Sequence, residues 1–138
     1  MNRSEILAFL NAHHVCQMAT AEGDTPRVRS LLLYRADENG IIFMSDKKKA
    51  LYKEICYNPK VELCFADPEF MVQVRVSGTI EVLEDLELVK EIIAARPTLK
   101  PLVEKMGYEP FIIYRVAKGI ATVWTPATNF DPKSYIEL

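Results

Sequence analysis

The chain has 138 residues, of which 49% are hydrophobic and 26% charged, with a formal net charge of −2. That length predicts one domain able to bury its own core, and the balance of apolar and charged residues excludes a disordered segment. The near-neutral charge leaves no electrostatic footprint for nucleic acid or an anionic membrane surface.

Cys16, Cys56 and Cys64 form no CxxC pair and are odd in number. Each sits in an apolar or amphipathic run, which predicts reduced, buried thiols in a cytoplasmic protein. The first residues, MNRSEILAFLNAHH, hold too short an apolar run and too early an acid for a signal peptide. No stretch reaches the roughly 18 apolar residues of a membrane span.

In chain order, Asn2 followed by Glu5 suggests a capping box, and Ile6, Leu7 and Leu10 recur at helical spacing, so residues 3–13 are expected to form a short helix. His13 and His14 suit its C-terminal end and lack partners at metal-ligand spacing, so no metal site is expected. Residues 15–21 form a first strand, ended by Glu22-Gly23-Asp24. Residues 27–35 form a second, with Arg27 and Arg29 on one face by period-2 geometry. Asn39-Gly40 predicts a hairpin whose return strand is 41–45.

Asp46 is the expected N-cap of a helix running to about Tyr57, stopped by Asn58-Pro59. On it Leu51 and Ile55 face a core, with Lys49, Tyr52, Lys53 and Cys56 on an adjoining face. Residues 61–66 make a strand. The long run 70–83 makes another, interrupted at Gly78 by a bend or a close approach. Asp85 caps a helix ended by Arg96-Pro97, and a further helical piece ends at Gly107. Two strands, 111–116 and 120–125, are expected to join through a tight Lys118-Gly119 turn, with a loop to the C-terminus. This order predicts a mainly β fold with peripheral helices (α+β), a six- to seven-stranded antiparallel barrel in a single domain, 1–138.

No GxGxxG, Walker lysine loop or GxSxG elbow is present, and no catalytic triad is brought together. The basic set is the remaining candidate. Arg27 and Arg29 project from one strand, while Ser45 and the lysines from Lys47 lie just beyond the hairpin. A strict hairpin puts Ser45 near Tyr34 or Arg35. A phosphate there could accept a bidentate arginine bond, a hydroxyl bond and a lysine contact. On charge pattern alone, a solvated lysine run with strand arginines paired to glutamates is the commoner arrangement and the one expected.

Five motifs in order add to this: MAT at 18–20, TPRVRSLLL at 25–33, NGIIFMS at 39–45, NPKVEL at 58–63 and VQVRVSGTIEVLED at 72–85. Together they resemble the flavin-binding split barrels related to pyridoxamine 5′-phosphate oxidase. The resemblance implies FMN as cofactor and a homodimer with the flavin in a groove between subunits. It matches Arg29 to an arginine that contacts FMN and Ser45 to a hydroxyl near the flavin phosphate. Lys49, with Tyr52 and Lys53 following, matches a branch reading K-x-x-Y-K, whereas the oxidase proper places its lysine at Leu51. Gln73 matches a glutamine that reaches the flavin, often from the partner subunit. Trp124 is similar in position to a tryptophan that walls the flavin pocket.

The oxidases carry a lysine just after the Arg-x-x-Leu-Leu unit, where this chain has Tyr34. They also end in a basic, histidine-containing segment, whereas this chain ends in the acidic, histidine-free stretch 129–138. Both departures argue against a vitamin B6 substrate. The expectation is an FMN-dependent oxidoreductase of an unidentified small molecule. A non-catalytic flavin- or haem-binding stress or sensor protein is the alternative, and an interaction domain docking an acidic partner on residues 47–53 a third.

Overall fold

The computed structural model describes every residue from Met1 to Leu138. Seven strands form one antiparallel sheet in the order β3-β2-β1-β4-β5-β6-β7, and a β3–β6 pairing closes the first six into a barrel. The strands are β1 (Val15–Glu22), β2 (Thr25–Asp37), β3 (Gly40–Asp46), β4 (Lys60–Ala66), β5 (Gln73–Leu83), β6 (Phe111–Trp124) and β7 (Ile136–Glu137). The helices are α1 (Arg3–Ala12), α2 (Ala50–Tyr57), α3 (Leu86–Ala95) and α4 (Lys100–Met106). None is long and apolar enough to cross a membrane.

Two cores lie on opposite sides of the β3–β6 wall. Inside the barrel, Phe43, Phe65, Leu63, Val74, Val76 and Tyr114 pack with Ile6 and Leu10 of α1 and Leu51 and Ile55 of α2. Outside, Ile42, Phe111 and Ile113 receive Val89, Ile92 and Ile93 of α3. This explains why β3 is apolar on both faces, Ile41 and Phe43 inward and Ile42 outward, instead of alternating with polar residues. Each fully buried aliphatic side chain contributes roughly 1.5–3 kcal/mol.

The expected local signals hold at both caps. Asn2 and Glu5 form a reciprocal capping box on α1, and the Asp85 side chain accepts from Leu88 N at the start of α3. Two expectations are corrected. Asp46 does not cap α2: it ends β3, its Oδ1 accepts from Lys48 N at 2.7 Å, and the helix begins only at Ala50 behind Lys49. The lysine run is therefore a turn held by an Asx-type bond, not a first helical turn. Nor does Lys118-Gly119 reverse the chain, because β6 is one continuous strand of 14 residues.

What the glycine does instead is let β6 bend. The β5–β6 register shifts between Gly78 and Ile80, leaving Ala117 and Lys118 opposite Thr79. A Cβ on Gly78 would lie 2.5 Å from Val116 Cγ1, and one on Gly119 would lie 2.5 Å from Val76 Cγ1. Both strands need a residue without a side chain where Gly78 faces Gly119 in the ladder. β5 also starts later than expected, because Phe70 sits at φ 57° in a turn whose Asp67 Oδ1 accepts from Met71 N and Val72 N.

Candidate functional site

The barrel is split between β2 and β3. Their pairing runs from Asp37–Gly40 down to Leu33–Phe43, with a bulge at Tyr34, and then stops. Beyond it β2 keeps only β1 as a neighbour, from Leu32 to Thr25, while Met44–Asp46 pair only with β6. Arg29 stands on one lip of this gap, on the inward face because it is paired with the fully buried Met18. Ser45 stands on the other lip, paired with Ile112 rather than with Tyr34 or Arg35. The strict-hairpin expectation fails because the bulge and the loss of pairing let the strands diverge.

Arg29 is held by its neighbours. Its Nη1 donates to Met18 O at 3.2 Å and to Thr20 Oγ1 at 2.7 Å, and its Nη2 donates to Glu54 Oε1 at 2.8 Å. Thr20 Oγ1 in turn donates to Glu54 Oε1 at 3.0 Å. Thr20 and Glu54 are only 5% and 6% exposed, while the Arg29 side chain keeps 24% of its surface in solvent. The Nε–H and one Nη2–H have no partner within the chain.

Sequence reasoning missed Glu54 and Thr20. The signal was there for Glu54, since Leu51, Glu54 and Ile55 at i, i+3 and i+4 share one helix face, and α2 lays that face on β1. A carboxylate on a core-facing stripe needs a buried cation, and the inward arginine of β2 supplies it.

The other candidates on this side vary. Arg27 is exposed and pairs loosely with Glu22 at 3.6 Å. Lys49 and Lys53 are exposed and join no ion pair, whereas Lys47 is tied to Glu84 at 2.8 Å. Lys53 and Glu54 border a cavity of about 420 Å³ between α2 and the β1–β2 turn. Tyr52 is half-buried against the barrel core.

Two hydroxyls nearby, Ser45 Oγ and Tyr114 Oη, are buried without a hydrogen-bond partner. Burial pushes the Tyr114 phenol well above the usual range, with Cys56 and Tyr52 adding and Arg29 opposing. Cys56 itself is exposed, against the expectation of three buried thiols, because it falls on the solvent side of α2.

Gln73 and Trp124 lie elsewhere. They are direct partners in the β5–β6 ladder and share the outward face, since the adjacent Val74 is fully buried inside. A cavity of about 700 Å³ lies over them, lined also by Arg75, Thr122, Asn129 and Lys133. Trp124 Nε1 donates to Asn129 Oδ1 at 2.8 Å, which folds the chain after β6 back over the indole. Within one chain the candidates thus form two groups on opposite sides of the sheet: Arg29, Ser45 and α2, and Gln73 with Trp124.

Residues 3–110 match the family described as pyridoxamine 5′-phosphate oxidase. The chain belongs to that family. A pyridoxine/pyridoxamine 5′-phosphate oxidase of Anaeromyxobacter dehalogenans is 35% identical over 83 residues, covering 58% of this chain and 42% of the relative. The chain thus aligns with less than half the length of that curated relative. Among solved structures, a nimC/nimA family protein from Clostridium acetobutylicum is similar at 25% identity and TM-score 0.79, covering 98% of this chain and 92% of that one. A pyridoxamine 5′-phosphate oxidase-related, FMN binding protein from Nostoc punctiforme shares the fold at 18% identity and TM-score 0.66, covering 99% and 95%. Family membership is consistent with flavin-related oxidoreductase chemistry on this barrel.

Proposed function

We propose that the chain is a cytoplasmic FMN-dependent oxidoreductase acting on a small molecule, and that it works as a homodimer. Each flavin lies between the split of one subunit and the Gln73–Trp124 face of the other. One observation carries the reading: Arg29 and Trp124 point to opposite sides of the same sheet, so a second copy is needed to bring their groups to one ligand.

The residues fit a flavin mononucleotide. Arg29 has an open N–H edge for phosphate oxygens, Lys49 and Lys53 are cations of the α2 segment that join no ion pair, and Ser45 Oγ has no internal partner. Arg27, Arg29, Ser45, Lys49, Tyr52 and Lys53 are assigned to the phosphate side, Gln73 to the polar ring edge and Trp124 to the ring wall. When bound, the cofactor supplies the electron transfer, while the chain supplies binding, orientation and shielding from water.

The outward face also suits a second subunit. Val15, Val28, Leu32 and Ile120 are exposed there at 57%, 69%, 49% and 49%. In register, Val15 neighbours Leu32 and Ala19 neighbours Val28, two apolar pairs on one face with the Gln17–Ser30 pair between them. Three free cysteines accord with a reducing compartment.

The test is the visible spectrum of the purified protein before and after dithionite. A yellow protein that bleaches on reduction, and then turns over with a nicotinamide donor, supports the reading. A Soret band, or a colourless protein that takes up no FMN on titration, overturns it.

A further inference from the structure

Glu54 is the only charged residue in the buried set, and it lies on α2, whose core-facing side packs on β1. Replacing a buried ion pair by apolar packing is often neutral or stabilising, so such a pair is weak evidence for a stabilising role. Its geometry points to another role. Thr20 Oγ1 and Glu54 Oε1 are 3.0 Å apart and meet Nη1 and Nη2 of Arg29 respectively. The guanidinium is therefore engaged end-on, and Met18 O takes a further Nη1 bond at 3.2 Å. What stays open is the side edge made by Nε–H and the second Nη2–H, a fork matched to two oxygens of one phosphate.

We infer that Glu54, together with Thr20, is the positioning residue for Arg29, holding its guanidinium so that this side edge faces the split and reads the phosphate of a flavin mononucleotide. The inference rests on the FMN reading above. An arginine on a strand facing an open gap has many rotamers, and fixing it in advance removes an ordering cost from binding. The Glu54 charge also offsets that of Arg29, so recognition there depends on donor geometry. Net positive charge for the phosphate comes from Lys49 and Lys53.

The test titrates FMN and riboflavin separately, by quenching of flavin fluorescence, into wild type and variants. Riboflavin lacks the phosphate and so reports the ring site alone. Glu54→Ala is expected to weaken FMN about tenfold and leave riboflavin unchanged, since a charge-assisted contact is misplaced rather than the pocket lost. Glu54→Gln keeps the acceptor oxygen and is expected to restore FMN binding to within about threefold of wild type. In an Arg29→Ala background, Glu54→Ala is expected to add nothing.

The inference is overturned if Glu54→Ala leaves FMN affinity unchanged, weakens both flavins alike, or costs as much without Arg29 as with it. Should Glu54→Ala not fold, Thr20→Val removes the bridging hydroxyl at constant shape. It is expected to lower FMN affinity about threefold and spare riboflavin, and an unchanged ratio overturns the inference. If Arg29→Ala itself binds FMN like wild type, the phosphate assignment fails, which separates that failure from one confined to Glu54.

Discussion

Gln73 stands directly opposite Trp124 in the β5–β6 ladder, on the side of the sheet away from the Arg29 guanidinium. On the proposed reading, one ligand reaches both groups from two copies of the chain. This makes complementation between defective subunits a direct measurement. Arg29→Ala and Trp124→Ala are each expected to weaken FMN binding by about tenfold or more. Mixed dimers of the two variants are expected to regain one intact site, giving half the flavin stoichiometry at wild-type affinity. Mixtures with no recovered site would place both groups of each site in a single chain.

The register shift between β5 and β6 is expected to be intolerant of any side chain at Gly78. Its Cβ would meet Val116 Cγ1 at 2.5 Å, and Val116 is only 1% exposed and cannot move aside freely. Gly78→Ala is expected to destabilise the fold by about 1–3 kcal/mol, the usual cost of overpacking. Urea unfolding monitored by the single tryptophan measures it, and an unchanged midpoint would refute the close approach.

Tyr114 is fully buried with an unpartnered hydroxyl. Tyr114→Phe is expected to be neutral or stabilising by about 1 kcal/mol, because it removes a desolvated polar group without changing the ring. Burial also raises the phenol above its ordinary value of 10.0, so the folded chain keeps its proton where the unfolded chain loses it. The contribution of Tyr114 to stability is thus present below pH 10 and lost as pH rises further. Tyr114→Phe is expected to flatten the alkaline decline of the unfolding free energy. A loss of stability at neutral pH would mean that the hydroxyl has a partner after all.

The cysteines are expected to separate by reactivity. Burial pushes the Cys16 thiol up to about 12, and it also raises the half-buried Cys64, whereas Cys56 is exposed on α2. At pH 8 a thiol-directed reagent is expected to label Cys56 first and to leave Cys16 unmodified until the protein unfolds. Peptide mass mapping reads the order, and early labelling of Cys16 would contradict its burial. The same desolvation makes Cys16 a second source of alkaline instability, acting from its ordinary 9.0 up to about 12.

Most of the local structure was legible because its causes are local. Asn2 with Glu5, Asp85 before α3 and Gly107 after α4 each satisfy a helix end within a few residues of themselves. Alternation along β5 told the buried Val74 and Val76 from the exposed Ser77. Errors arose where a local signal had two readings. Lys118-Gly119 has the composition of a turn, yet β6 continues through it with only a shift of register, because Gly119 is needed opposite Gly78, a ladder partner some forty residues away. Asp46 has the chemistry of an N-cap, but it closed the preceding turn instead.

The sequence by itself determined a mainly β, antiparallel barrel class with peripheral helices, because periodicity, caps and turn residues act over short spans, but not the order of strands in the sheet or the continuity of β6. The family resemblance, rather than any local signal, marked Arg29, Ser45, Lys49, Gln73 and Trp124 as the residues to watch. Only the tertiary structure decided how they divide. Sheet closure through β3 and β6 sends Arg29 to the inside and Gln73 with Trp124 to the outside, a consequence of register that no single segment encodes. It likewise brought Thr20 and Glu54 to Arg29 across 9 and 25 residues of chain, since burying a carboxylate requires a cation that only the folded strand pair delivers.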